Sequence, residues 1–325
     1  MNKIVEEIER SINDSSVIGV FGHQNADGDA VGSIMMMASF LRGLGKKVYV
    51  YTDTPFFPEN LKFLNVEQNL DEDVDVQIDL AIALDTATFD RLGIYSTLFA
   101  SAKNSINIDH HSDNTKYAKI NYVIGGASSN CEILFDLLSQ FCMFKNGIHL
   151  TKVECMYLLV GILTDSGRFK YSSTTANTFY VAGKLLELSG LNINDIITPL
   201  YDEISINKFN VNKLAFNNTI FYEGNKLAVT LITNSEYIDI GADYSYAKDV
   251  SQYILAVKSI IACAIISEDP KGNFHISFRS KGDVDISKCA AVFGGGGHKN
   301  ASGCRLRGNP EEVRNKVLKA LRNIL

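Results

Sequence analysis

The sequence predicts an α/β protein of two domains, on three observations. Short apolar runs alternate with stretches of helical periodicity through residue 188. The texture changes at "LNINDIITPLYDEIS", 191–205, which holds Pro199 and no strong strand signal. The chain, at 325 residues, is long enough for two folding units. Alternation of this kind builds a mostly parallel sheet with helices on both faces, and the remainder reads as a smaller C-terminal α/β domain. The expected boundaries are 1–188, a linker at 189–206, and 207–325.

Taken in order, "MNKIVEEIERSINDSS" sets Ile4, Val5, Ile8 and Ile12 on one stripe of a short amphipathic helix. It lacks the basic start and apolar block of a secretory signal. "SVIGVF" (16–21), "KVYVYT" (47–52), "LAIALD" (80–85) and "SINID" (105–109) are strands. "AVGSIMMMASFLRGLG" (30–45) is a helix with a glycine stop. "SSNCEILFDLLSQF" (128–141) is a helix opened by serine caps, and "TTANTFYVAGKLLELSG" (174–190) is a capped helix closed by glycine. "ECMYLLVGILTDSG" (154–167) has the length of a buried helix. In the second part "KLAVTLIT" (226–233), "IACAIIS" (261–267) and "FHISFRS" (274–280) are strands, the last two joined through "EDPKGN". "NPEEVRNKVLKALRNIL" ends the chain as a helix begun at Pro310.

Composition excludes some classes. At 46% hydrophobic and 21% charged the chain is ordinary for a globular protein. No apolar run approaches the ~20 residues that span a bilayer, which argues against a membrane protein. The six cysteines, at 131, 142, 155, 263, 289 and 304, form no closely spaced pair. They are expected to be reduced and buried, in a cytoplasmic protein. The net charge of −6 is unevenly spread, with 15 basic against 26 acidic residues up to 205 and 16 against 11 beyond. An acidic half can hold cations and a basic half an anion.

The chemistry gathers at predicted strand ends. "FGHQNADGDAVGS" places His23, Asp27 and Asp29 directly after the first strand. Asp85 follows "LAIAL", Asp109 and His110 end "SINIDHH", and Asp165 follows "LLVGILT". Each piece alone has an ordinary structural reading, since an aspartate after a strand commonly makes a turn or caps a helix. In an open α/β sheet, however, ligands collect outside the carboxyl ends of the strands. His23, Asp27, Asp29, Asp85, Asp109 and His110 then arrive at one edge from three strands. Crowded carboxylates repel, and divalent cations relieve the repulsion. Mixed carboxylate and imidazole donors suit manganese, iron or cobalt better than magnesium. So many donors fit two metals sharing one carboxylate, about 3.5–4 Å apart, able to activate a water and clamp a phosphate. His149 and His275 lie outside such a setting and are read as non-catalytic.

A second candidate is "VFGGGGHKNASG", 292–303. Glycines let the backbone approach a ligand and turn N–H groups toward an anion. Gly295, Gly296, Gly297, His298, Lys299 and Asn300 are the expected phosphate loop, with Arg279 at the end of "FHISFRS" as a bidentate partner.

The ordered set resembles the DHH phosphoesterases over nearly the whole chain, most closely their short two-domain nano-RNase group. "GHQNADGDAVGS", "ALDTATFDRLG", "NIDHH" and "GILTDSGRFKYSSTT" resemble four successive motifs, and "SFRSKGDVDISKCAAVFGGGGHKNASG" resembles the DHH-associated C-terminal domain. The resemblance implies two divalent ions, manganese foremost, in a cleft between the domains. His23, Asp27 and Asp85 would hold one, and Asp29, Asp85, His110 and Asp165 the other, with Asp85 bridging. Asp109 would orient a neighbouring imidazole and His111 would face the scissile phosphate. Arg279, His298 and the glycine loop would grip a terminal phosphate or 5′-nucleotide.

The function so implied is hydrolysis of very short oligoribonucleotides to mononucleotides and of 3′-phosphoadenosine 5′-phosphate (pAp) to AMP. Cyclic or linear dinucleotides (pApA, pGpG) are the alternative substrates. A pyrophosphatase shares the N-terminal logic, but the "GGGGHKN" loop argues against it. A nucleotide-binding sensor without catalysis is disfavoured by the complete ligand set. The negative overall charge argues against a long cationic groove for polymers. Partners are thus short RNA and small nucleotides, with no membrane; the resemblance leaves room for a homodimer.

Overall fold

The computed structural model describes residues 3–54, 57–66, 70–71, 73–144 and 147–324. The chain divides into two compact units, Met1–Glu203 and Ile204–Leu325. The first contains α1 (Lys3–Asn13), β1 (Val17–Phe21), α2 (Gly28–Gly43), β2 (Lys47–Tyr51), β3 (Leu80–Leu84) and α3 (Ser96–Ser101). It continues with β4 (Asn104–Asp109), β5 (Ile120–Val123), α4 (Asn130–Ser139), α5 (Lys152–Asp165), α6 (Ala176–Ser189) and α7 (Asn194–Ile197).

Its five strands are all parallel, in the order β2-β1-β3-β4-β5. The chain steps from β1 outward to β2, then crosses back to β3 on the other side. β1 and β3 therefore flank the switch point, where diverging connections leave a crevice at the carboxyl ends. Every residue of β3 is buried, as strands covered on both faces require. Leu80, Ile82, Leu84, Ile106 and Ile108 point into the larger core, which takes in residues of α1, α2, α4 and α5. Ala81, Ala83 and Phe21 point the other way, toward Leu98 and Phe99 of α3. There Phe21 stacks on Tyr51 at 5.1 Å and meets Phe99 edge-on at 5.4 Å.

α2 is apolar on almost every side because it is packed on almost every side. Glycine sets how close its neighbours come. A Cβ on Gly32 would lie 2.4 Å from the Tyr157 carbonyl oxygen. One on Gly161 of α5 would lie 2.2 Å from Cys131 Sγ and 2.5 Å from Asp29 Oδ1. The missing side chains let the start of α2 meet α4 and α5, which carry the charged groups described below.

The second unit contains α8 (Ile206–Asn217), β6 (Thr219–Tyr222), β7 (Leu227–Ile232), α9 (Asn234–Asp239), α10 (Val250–Ala256) and β8 (Ala262–Glu268). β9 (Phe274–Ser280), α11 (Ser287–Ala291), β10 (Gly296–His298), β11 (Ala301–Leu306) and α12 (Pro310–Arg322) complete it. Its mixed sheet runs β10-β11-β9-β8-β7-β6, with β7 and β8 parallel and the other neighbours antiparallel. Alternate residues feed two cores: Phe274, Ile276 and Phe278 face Val313 and Val317 of α12, while Cys263 and Ile265 face Val211 of α8 and Val250 of α10.

Two expectations need correction, and one gains detail. The division between the units falls inside the segment expected to link them, which is helical at 194–202, with Ile196 and Leu200 buried in the first unit's core. Pro199 masked that reading, yet it occupies an early position of the turn that follows α7, where a missing N–H costs nothing. β5 was not expected; its four residues at the sheet edge are too few to announce a strand. Of the six cysteines, Cys142 is exposed and Cys304 only half-buried.

Gly161→Ala tests the close approach. Overpacking of this kind costs about 1–3 kcal/mol. The variant should melt below the wild type and bind divalent metal more weakly, because the intruding methyl displaces Asp29. An unchanged melting temperature would show that the helices can separate freely.

Candidate metal centre

Three strand ends and two helix ends deliver the site. β1 runs out at Phe21, and His23 follows, buried. Asp27 then caps α2, accepting hydrogen bonds on Oδ1 from the Asp29 and Ala30 N–H groups at 3.1 Å. The ordinary reading of the DGD turn is thus correct as far as it goes. The same exposed carboxylate also stands 3.9 Å from His23 Nε2.

Asp29, in the first turn of α2, is fully buried. It accepts hydrogen bonds from the Asn130 N–H at 2.6 Å and the Cys131 N–H at 3.0 Å, the free amides at the start of α4. The positive end of that helix favours a carboxylate there. Nothing in the sequence spacing shows this pairing across a hundred residues; the Ser128–Ser129 caps marked only where α4 begins.

Asp85 follows β3 in a left-handed conformation, φ 53°, which an aspartate tolerates better than most residues. That turn holds its carboxylate between two groups of ligands. Oδ2 lies 3.6 Å from His23 Nε2, and Oδ1 lies 3.4 Å from His110 Nε2. Oδ1 is buried and accepts no hydrogen bond from the described residues. On the far side, His110 Nε2 is 3.4 Å from Asp165 Oδ2, at the end of α5, and 4.0 Å from Asp29 Oδ2.

These separations are longer than hydrogen bonds. They match donors arranged around an ion, which at bonds of about 2.1 Å lie roughly 3–3.5 Å from one another. His23, Asp27 and Asp85 offer ligand atoms within 4.8 Å of one another, and Asp29, His110 and Asp165 form a second such group. The imidazoles are prepared for the role. His23 Nδ1 is 2.9 Å from the Gln24 carbonyl oxygen and His110 Nδ1 is 3.2 Å from that of Ala127. A carbonyl that accepts a hydrogen bond from Nδ1–H, as Ala127 does from His110, leaves the Nε2 lone pair facing the carboxylates. Arg91, which sequence reasoning did not single out, places Nη2 3.0 Å from His23 Nδ1; a guanidinium only donates, so it competes with the Gln24 carbonyl for that nitrogen. The residues therefore fit a pair of divalent ions.

His111 differs from its neighbour. Its Nδ1 is 2.8 Å from Asp109 Oδ1, so that nitrogen is occupied although it lies 3.6 Å from Asp85. Asp109 is fully buried and also accepts from the Asn114 amide at 2.6 Å, which in turn donates to Asn107. Asp109 thus aims an imidazole rather than facing an ion. His111 is the most open of the three histidines, with a third of its side chain exposed.

Electrostatics show what the centre lacks. Burial opposes charge on His23, but the Asp27 and Asp85 carboxylates outweigh it and lift the imidazole to about 10. His110 is likewise lifted to about 10, by Asp85, Asp29 and Asp165 against burial. Burial, then the Asp85 and Asp165 charges, hold Asp29 well above the carboxylate range. Asp165 rises to about 6, through burial and the Asp85 charge, in spite of His110. Without a cation, protons balance the cluster.

In the second unit, the glycine-rich stretch is less a loop than half a hairpin. Gly296, Gly297 and His298 pair with β11, and Lys299 and Asn300 form the two-residue turn. A Cβ on Gly295 would sit 2.2 Å from the Gly303 carbonyl oxygen, and one on Gly297 2.6 Å from that of Ala301. Gly297 has φ 143° as well, so these two glycines are needed to close the hairpin. Gly296 meets nothing within 4 Å. Asn300 donates to Ser280 Oγ at 3.1 Å and to the Gly282 carbonyl at 3.0 Å, so its amide braces the 280–284 turn. Lys299 pairs with Asp283 at 2.7 Å. Both thus make contacts with the 280–284 turn. Arg279 and His298 are brought together. Each is registered opposite Ala301, so the three form one cross-strand row on one sheet face. Two strand spacings, roughly 10 Å, separate the outer pair across a small residue. Arg279 is half-buried and spends one N–H on the Phe278 carbonyl, at 2.9 Å.

Residues 17–162 match the DHH family, N-terminal domain, and residues 225–325 match the DHHA1 domain. The chain belongs to the DHH family. This DHH protein is 28% identical to "Bifunctional oligoribonuclease and PAP phosphatase NrnA" of Thermus thermophilus, over 99% of this chain and 94% of that one. It is 27% identical to the Bacillus subtilis protein of that name, over 92% of each. In fold it resembles the crystal structure of an exopolyphosphatase-related protein from Bacteroides fragilis, with a TM-score of 0.88 at 24% identity, covering 99% of this chain and 96% of that one.

The protonated cluster predicts a pH dependence. His23 and His110, with pKa values near 10, are charged at pH 7 and must each lose a proton to a cation on Nε2. Manganese affinity should therefore rise from pH 6 to pH 8. Calorimetric titrations in two buffers of different ionisation enthalpy should report proton release. Binding without release would show that the ions do not sit on these imidazoles.

Proposed function

We propose that the chain is a divalent-metal-dependent hydrolase of phosphate esters, acting on very short oligoribonucleotides and on pAp. One observation carries this reading: a buried carboxylate, Asp85, stands between two sets of ligands at the sheet's switch point, with an oxygen that no described residue satisfies. The names of the two NrnA relatives support the substrate class.

His23, Asp27 and Asp85 would hold one ion, and Asp29, Asp85, His110 and Asp165 the other. The carboxylate and imidazole donors suit manganese. Bound there, two divalent ions supply Lewis-acid charge at the phosphorus and lower the pKa of water. The chain's own residues do the rest. Asp109, ionised and buried, fixes His111 with Nδ1–H toward itself and turns Nε2 outward. In that position His111 serves the phosphate, donating to its oxygens when protonated. Asp109 and the Asp85 charge hold the His111 proton more tightly than in a free imidazole, against burial. Arg279 and His298 bind a substrate phosphate from one sheet face; a guanidinium gives that contact charge and, where geometry allows, two parallel bonds.

Asp85→Asn keeps the shape and tolerates the left-handed backbone, so the protein should fold. It should lose bound manganese and at least ~10²–10³-fold in turnover. Wild-type metal content with wild-type turnover would disprove the bridging role. The substrate class is tested on the manganese-loaded protein with a dinucleotide, a five-mer, a long RNA, pAp, cyclic dinucleotides and pyrophosphate. The dinucleotide, five-mer and pAp should have the highest kcat/KM; equal values on a dimer and a long RNA would point to a polymer exonuclease.

Arg279→Ala should leave manganese binding intact and lower kcat/KM roughly 10- to 150-fold, the scale of a lost charge-assisted bond. The loss should be greater on a phosphorylated dinucleotide than on the same dinucleotide without that phosphate. Equal losses on both would show that Arg279 reads something else.

A further inference from the structure

The turn that follows Asp165 is built against the backbone's preference. α5 ends at Asp165, and Ser166 caps it. The Gly167 N–H then donates to the Thr164 carbonyl at 3.2 Å, and the Arg168 N–H to that of Leu163 at 2.8 Å. This pair of bonds is a common helix stop, and it requires one left-handed residue, here Gly167 at φ 58°. The chain stays left-handed beyond it. Arg168 has φ 61° and Phe169 φ 65°. Each carries a Cβ that this region penalises, so two costly residues prolong a stop that Gly167 already completes.

Side chains hold them there. The Arg168 guanidinium lies over the Tyr201 ring, 4.5 Å from its centre, at a distance where ring and cation attract. The Tyr201 hydroxyl donates to the Leu163 carbonyl at 2.9 Å, the same oxygen that takes the Arg168 N–H. Arg168 and Tyr201 thus close a clip over the last turn of α5. The Phe169 ring stacks on Phe179 of α6 at 4.8 Å, and its N–H donates to Oγ of the fully buried Ser166 at 2.9 Å.

The neighbouring ligand explains why such a turn is kept. Asp27 and Asp29 are fixed by helix amides, and Asp109 by Asn114 and His111. Asp165 accepts no hydrogen bond from a described residue; its link to the centre is the 3.4 Å approach to His110. Its carboxylate is therefore aimed by backbone alone, and the backbone that follows it is the left-handed turn. We propose that Arg168 and Tyr201 are positioning residues: their clip holds the turn left-handed and so keeps Asp165 facing His110 for a divalent ion. This role rests on the metal-centre reading and involves no substrate.

The test is calorimetric titration of the full chain with manganese, with melting temperatures measured alongside. The wild type should take two ions, and Asp165→Asn should weaken the one that Asp165 serves. Arg168→Ala removes the clip but leaves the left-handed cost, so the turn should relax. The step that Asp165→Asn identifies should then weaken roughly 5- to 30-fold, the left-handed cost of one residue expressed as an equilibrium constant. Arg168→Gly also removes the clip, but glycine adopts φ 61° freely, so its manganese affinity should stay near that of the wild type. Tyr201→Leu, which removes the other half of the clip, should weaken the same step as Arg168→Ala. In the Asp165→Asn background, Arg168→Ala should have no further effect on manganese. A clip that served only the stability of the fold would lower the melting temperature and leave the Asp165 step where it was. The proposal is overturned by unchanged affinity in Arg168→Ala, by equal losses in the glycine and alanine variants, or by an undiminished loss in the Asp165→Asn background. A wild type that bound fewer than two manganese ions would instead overturn the metal-centre reading, and the proposal with it.

Discussion

Like charge in a small buried volume is the constraint on which the first unit is built. Five aspartates, 27, 29, 85, 109 and 165, crowd around three imidazoles, and Asp29, Asp85 and Asp109 are out of contact with water. Ionised carboxylates so close together in a dry setting are expensive unless something positive is shared among them. The protein meets part of the cost itself. The amides at the start of α4 take Asp29, and Asn114 with His111 takes Asp109. Asp85 Oδ1 has no such provision. The remaining deficit is positive charge, at the carboxylate that stands against an imidazole of each ligand group, and it is the reason to read the cluster as a metal centre rather than a structural network.

The surrounding architecture follows from that requirement. A parallel sheet with order β2-β1-β3-β4-β5 puts a crevice at the ends of β1 and β3, where His23 and Asp85 emerge. The charged helix ends could not reach the crevice if α2, α4 and α5 were held at ordinary distances. Gly161 is therefore a site residue in effect although it has no side chain, because the space of its missing Cβ is filled by Cys131 Sγ and Asp29 Oδ1.

Much of this was legible in the sequence, and the rest was hidden for physical reasons. Fully buried strands such as "LAIAL" are continuous apolar runs, so β3 and the aspartate behind it could be read directly. Side chains gathered at strand ends are a consequence of topology, and once the sheet was inferred the meeting of His23, Asp27, Asp85 and His110 followed. Asp29's partnership with α4 was invisible, because it depends on backbone amides that carry no residue signature. Asn114 and Arg91 were missed because a polar residue in a loop looks the same whether it serves solvent or a neighbour. The helical character of 194–202 was not legible because Pro199 is a strong punctuation mark, while Ile196 and Leu200 are only two apolar residues four apart.

The glycine run shows the same ambiguity from the opposite side. In sequence, "GGGGHKN" reads as a backbone cradle for an anion. In the fold, Gly295 and Gly297 have steric work within the protein, and Lys299 and Asn300 are engaged with Asp283 and the 280–284 turn. What the hairpin does achieve is register. By fixing His298 opposite Ala301, and β11 against β9, it sets an imidazole and a guanidinium in one row with only a methyl group between them. Under the proposed function, a substrate phosphate would meet side chains that the glycines align. Such a pair is held by strand pairing, where a flexible loop would have to be ordered at each binding event.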